Sequence, residues 1–195
     1  MGRSSREEAA RTRARIVDAA SEMFRISGVD QVTVAEIMAA LSLTTGGFYK
    51  HFASKEALVA EAMQLAFAQS CAAWRTVSPA GLMPGEGRAR LVQHYLRPDP
   101  QQRCPMIAFA PHSSKPEADE ASRQVFRHGI EDLLKSFSCP AKDAGSEEPL
   151  PDMKPEAKVL FAAMIGVRLL KDAVGDVAWA SDLRDAVLEA AAVEA

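Results

Sequence analysis

No apolar run of about 18 or more residues occurs in this 195-residue chain, and its Arg/Ser-rich N-terminus has no hydrophobic signal core. Both absences point to a cytoplasmic protein with no membrane partner. Cysteine is scarce: Cys71, Cys104 and Cys139 are odd in number and widely spaced, without a CxxC pair. Neither a disulfide framework nor a zinc site is expected, and reduced thiols are the default. His94, His112 and His128 share no metal-ligand spacing with any cysteine, and no acid pair or Ser-His-Asp set stands out. No metal, no cofactor and no catalytic site are therefore expected. Strand-like alternation and internal repeats are missing as well, which leaves an all-α fold.

What is present is ordinary globular composition, 48% apolar and 25% charged, so no disordered or fibrous class is needed. Charge is balanced overall at −3, and the first sixty residues carry eight basic groups against seven acids. That surplus is too small to indicate nucleic acid. More telling is the crowding of arginines between Arg3 and Arg15, since a short basic arm adds phosphate contacts without a fold of its own. A solvated terminus explains the same run equally well.

Apolar spacing then divides the chain into helices. From Ala9 to Ile26, Ile16, Ala20, Met23 and Phe24 fall on one face, with Gly28 as the stop. Thr33 to Glu36 fits a capping box that opens a short second helix ending near Ala40. Leu41 to Leu43 forms a tight connection to Thr44, whose hydroxyl can cap a third helix reaching about Phe52. Ser54 can cap a fourth helix from Lys55 to Trp74. Two very short helices among four, joined by a few residues, make helix-turn-helix architecture.

Residues 78–87 are rich in Pro and Gly and read as a loop, followed by a helix over 88–97 that Pro98 to Pro100 ends. A short helix is expected over 105–111 and a long one over 117–137. Cys139 to Pro155 reads as a mobile loop, and the last two helices span 156–174 and 182–193.

The segment Thr33 to Leu58, TVAEIMAALSLTTGGFYKHFASKEAL, resembles the DNA-binding motif of the TetR family of transcriptional regulators. The resemblance lies in Gly46, Phe48, Tyr49, His51, Phe52, Ser54, Lys55, Glu56 and Leu58, with Ile16, Ala19, Ala20, Phe24 and Gly28 matching the first helix. It implies a helix-turn-helix DNA-binding domain over 1–53 and a larger effector-binding and dimerisation domain over 54–195. The implied function is that of a repressor, released from a palindromic operator by a small molecule; activation stays open. The resemblance puts Thr44, Thr45, Gly46, Gly47 and Lys50 at or beside base edges, and Thr33, Tyr49, His51 and Lys55 against phosphates. Thr45 can hydrogen-bond and touch a thymine methyl, Lys50 can reach guanine or phosphate, and the glycines allow close backbone approach. Thr33 as a simple cap, Tyr49 as a packed ring and His51 as a core hydrogen-bonder remain alternatives.

Beyond residue 54 the resemblance is one of architecture. An effector pocket should be mostly apolar, and Met63, Phe67, Trp74, His94, Tyr95, Cys104, Met106, Phe109, His112 and Phe126 are candidates, though core packing accounts for most of them equally. Cys104, between Arg103 and Pro105, is either a small buried hydrophobe or a thiol that senses electrophiles or oxidants. Val159, Ala163, Val167, Leu170 and Val174 form one stripe, and Leu183, Ala186, Val187 and Ala190 another. Two such hairpins would pair as a homodimer through the last two helices, setting two recognition helices about 34–36 Å apart. Competing readings are a helical enzyme, and a ligand- or redox-sensing dimer that has lost DNA binding.

Overall fold

The computed structural model describes residues 2–79, 81–97, 103–138 and 152–193, and among them the regular elements are all helices. They are α1 (Gly2–Ser27), α2 (Val34–Ala40), α3 (Thr45–Phe48), α4 (Lys55–Val77), α5 (Pro84–Tyr95), α6 (Pro105–Ser113), α7 (Glu120–Ser138), α8 (Pro155–Val174) and α9 (Ala178–Val193). The all-α expectation is met. The break at 98–100 and the loop over 139–151 lie outside the described residues.

The described residues divide into two compact units, one within 1–68 and 100–129, the other within 69–99 and 130–195. α4 and α7 contribute to both. The boundary after residue 53 that the motif suggests falls inside the first unit.

In the first unit, Ile16, Ala20 and Phe24 of α1 recur one turn apart and are fully buried. Gly28 ends α1 with φ +85, its N–H donating to the Phe24 carbonyl at 2.9 Å. α1 packs against α2 and α6, and Phe24 meets Phe109 of α6 edge-on at 6.5 Å. From α4, Leu58, Val59, Ala62, Met63, Ala66 and Phe67 complete this core at helical spacing. α7 comes so close to α4 that a Cβ added at Gly129 would lie 2.3 Å from the Phe67 ring.

In the second unit, Trp74 meets Tyr95 at 6.2 Å and Phe161 at 6.5 Å, and Phe137 meets Phe161 at 5.3 Å. α9 packs on both α8 and α5. Arg168 of α8 donates to the Tyr95 and Arg97 carbonyls at 3.2 Å, satisfying acceptors that the end of α5 leaves open.

Several local features differ from expectation. α3 stops at Phe48 instead of about Phe52. Beyond it His51 N–H bonds to the Phe48 carbonyl at 2.8 Å, a three-residue step that tightens the chain into a turn. The Thr44 hydroxyl makes no capping bond, so α3 starts on backbone bonding alone. α5 begins at Pro84, inside the stretch read as a loop, because proline suits the first helical turn and Gly85 and Gly87 are buried there. α9 begins at Ala178 instead of Asp182, since the Val177 carbonyl accepts from the Ala180 and Ser181 N–H groups.

Candidate nucleic-acid interface

The capping box that opens α2 is complete. The Glu36 N–H donates to Thr33 Oγ1 at 3.2 Å, and the Thr33 N–H donates to Glu36 Oε2 at 2.7 Å. The Thr33 hydroxyl adds a bond to the same carboxylate at 2.8 Å. These bonds, to the Thr33 backbone first, hold the Glu36 carboxyl below its usual range. Thr33 is thus a cap that stays exposed, available for a further contact at the start of α2.

The turn from α2 to α3 runs through Ser42 at φ +57, the single non-glycine residue with positive φ among those described. The Ser42 and Leu43 N–H groups return to the Ala39 and Met38 carbonyls at 2.9 Å, which holds the turn tight. α3 then buries one side only. Phe48 and Phe52 stack with centroids 5.4 Å apart and are at most 3% exposed. Thr44, Thr45, Gly46, Tyr49 and Lys50 are exposed, and positions 45, 46, 49 and 50 fall on one side at helical spacing.

Tyr49 is 69% exposed, with its ring edge-on to Phe48 at 5.2 Å. An aromatic left that open, on a small domain whose other rings are buried, is available to a partner. His51 is half-buried and its backbone carbonyl accepts from Arg13 Nε at 3.4 Å. Lys55 is turned inward: Nζ donates to the Val29 carbonyl at 2.7 Å and lies 5.9 Å from the Phe24 ring centroid. What Lys55 offers outward is the start of α4, where Ser54 Oγ accepts from the Ala57 N–H at 3.2 Å.

Arg13 is a positioning residue of this surface that sequence reasoning missed. Its guanidinium forms a two-pronged ion pair with Glu61 and lies over the Phe52 ring at 4.5 Å from the centroid. With the bond to His51, it ties α1 and α4 to the turn that follows α3. Within the run Arg3 to Arg15, nothing marks Arg13 off, because its partner is 48 residues away.

The effector candidates fall into two groups. Met63, Phe67, Cys104, Met106, Phe109 and Phe126 belong to the first unit, where Phe67 and Phe126 meet edge-on at 5.9 Å. Trp74, His94 and Tyr95 belong to the second. All are buried except His94 and Phe126, which are half-buried. Cys104 precedes Pro105 as the N-cap of α6 and is 9% exposed. The Cys71 thiol is pushed up to about 11 by burial first and by Asp132 second.

A polar cleft of about 210 Å³ in the first unit is lined by Val29, Asp30, Lys55, Glu56, His112, Lys115 and Asp119 among others. Lys115 Nζ donates to both Asp30 carboxylate oxygens at 2.6 Å. Both ring nitrogens of His112 are shut off from solvent with no hydrogen-bond partner. Burial, and next Lys115, lower the His112 imidazole from its ordinary value, against the opposing pull of Asp30 and Asp119. Among the described residues no group of His, Cys, Asp and Glu could hold a metal ion, and no helix is long and apolar enough to cross a membrane.

Residues 16–62 match the family model described as bacterial regulatory proteins, tetR family. The HTH-type transcriptional regulator TtgR of Pseudomonas putida is 42% identical over 59 residues, which are 30% of this chain and 28% of that one. The HTH-type transcriptional regulator AcrR of Shigella flexneri is 37% identical over 65 residues, 33% of this chain and 30% of that one. The chain thus spans less than a third of the length of the curated relatives it matches. Among solved structures, a TetR transcriptional regulator from Chloroflexus aurantiacus aligns over 95% of both chains with a TM-score of 0.73 and 24% identity. Reduced E. coli NemR aligns over 90% of this chain and 94% of its own, with a TM-score of 0.65 and 17% identity. Residues 16–62 thus carry the motif of the tetR family of bacterial regulatory proteins, within an all-helical fold shared with solved TetR-family regulators.

Proposed function

We propose that the chain is a DNA-binding transcriptional regulator, a repressor that holds a palindromic operator as a homodimer and releases it when a small molecule binds. One observation carries the reading. Thr45 on the second helix of a helix-turn-helix and Tyr49 and Lys50 in the turn that continues it stand exposed together, while Phe48 and Phe52 on the other side anchor the segment. A short helix so anchored can enter a major groove, with Thr45 and Lys50 towards base edges and Tyr49 towards phosphate. Thr33 at the start of α2 and the free N–H groups at the start of α4 suit phosphates on either flank, and Thr44 and His51 border them.

Residues 1–53 would then bind DNA, and 54–195 would hold the effector and the dimer contact. The α8–α9 surface supports the latter: Val159 is 67% exposed, and Leu170, Val174 and Leu183 are also open. An apolar surface of that extent is consistent with a second copy of the chain as its cover. Effector binding would act through α4, shifting the equilibrium only by its differential affinity for the DNA-competent and incompetent states.

The test is binding of the purified chain to the DNA upstream of its own gene and to duplexes selected from a randomised pool, across a salt series. A Tyr49→Ala, Lys50→Ala double variant runs in parallel. Tight, salt-sensitive binding to one palindrome, weakened at least tenfold in the variant, supports the reading. Equal binding by variant and wild type would remove α3 from the interface.

A further inference from the structure

We infer that Gly46 and Gly47 are specificity-determining positions kept bare for DNA and not for the fold, so that α3 meets the groove partly with its backbone; this rests on the DNA-binding reading above. A glycine is normally demanded by a positive φ or by a neighbour too close for a side chain. Neither demand exists here. Positive φ among the described glycines is confined to Gly28, Gly81 and Gly175. A Cβ added at Gly46 would meet nothing within 4 Å. One added at Gly47 would meet only Thr44 Oγ1 at 3.6 Å and Met38 Cε at 3.7 Å, ordinary contact distances. The contrast within the same unit is Gly129, where a Cβ would collide with the Phe67 ring at 2.3 Å.

Two adjacent glycines in a helix of four residues also work against the helix itself, because glycine is the poorest helix former after proline. The fold would be better served by alanine at both positions. What the glycines supply is a Cβ-free strip beside Thr45 and Lys50, on which peptide groups can lie against base edges or the sugar rim. Side-chain reading is then left to Thr45, suited to adenine or the thymine methyl, and to Lys50, suited to guanine. The operator half-site should accordingly be specified strongly at two or three adjacent base pairs, and elsewhere by duplex shape.

The experiment compares the full-length chain with Gly46→Ala, Gly47→Ala and the double variant. Thermal unfolding is measured first, then affinity for the duplex selected by the wild type and for random duplex. We expect each substitution to raise Tm, by about 2–4 °C. We also expect at least a tenfold loss of operator affinity in the double variant, with random-duplex binding and the salt slope unchanged, since no phosphate-binding cation is removed. Operator affinity held within twofold overturns the inference and leaves the DNA reading standing. A fall in Tm overturns it too, because the fold would then need the glycines. A wild-type chain that selects no duplex overturns the DNA reading and this inference with it.

Discussion

Ser42 sits at φ +57 in the turn of the helix-turn-helix, a region that costs a side-chain-bearing residue strain. Ser42→Gly should raise stability by about 0.5–1 kcal/mol, read as a higher urea midpoint at unchanged m-value; no gain would mean that the serine is at ease there. His112 gives a pH dependence. Its imidazole is held below the ordinary value by burial, so the unfolded chain takes up the proton at higher pH than the folded one. Its contribution is fully present above about pH 6.5 and is lost as pH falls from there towards the folded value. The carboxylates of Asp30, Glu36 and Asp119, held low by Lys115, Thr33 and Ser122, lose theirs only as pH falls below about 4. Stability should therefore begin to drop as pH falls below about 6.5, before the carboxylates titrate, and His112→Gln should flatten that drop; an equal slope in the variant would move its origin elsewhere. At this scale the exposed motif residues were legible through the resemblance of Gly46 to Phe52 to a known motif, which marked Tyr49 and Lys50. The partners of Arg13 and Lys115 were not, since an ion pair across 48 or 85 residues leaves no local mark.

Element starts were readable where the chemistry is local and hidden where packing decides. Thr33 with Glu36, Ser54 and Gly28 announce their helices because the bonds they make lie within four residues. Pro84-Gly85-Glu86-Gly87 reads as loop by composition, yet burial of its glycines turns it into the first turn of α5. In the same way Asp119 caps α7, its carboxylate accepting from the Ser122 N–H at 2.8 Å, so the helix starts three residues later than apolar spacing suggests. The α4–α7 contact was invisible in sequence, because nothing distinguishes Gly129 from a helix-interior glycine until Phe67 lies against it. Gly129→Ala forces that ring aside and should cost about 1–3 kcal/mol, the range for overpacking a dense core. A calorimetric Tm unchanged from wild type would show that α4 and α7 are free to part.

For the molecule as a whole, the last two helices matter most. Periodicity predicted stripes on both, and their exposure in one chain leaves Leu170 and Leu183 each at least 40% open. Leu170→Asp with Leu183→Asp should convert a dimer into monomers by sedimentation, with far-UV helicity retained, since neither side chain belongs to the buried core of the second unit. The proposed effector-binding region was the least legible part. Its candidates divide between two units and serve as core in each, and apolar side chains carry no sign of whether a ligand or a neighbour fills the space beside them. The most direct test of the account is the sedimentation of the chain with the palindromic duplex it selects from a randomised pool, at several salt concentrations. It predicts an even number of chains per duplex, and affinity well above that for random DNA that declines as salt rises. Binding no tighter than to random DNA, or single chains on the duplex, would contradict it.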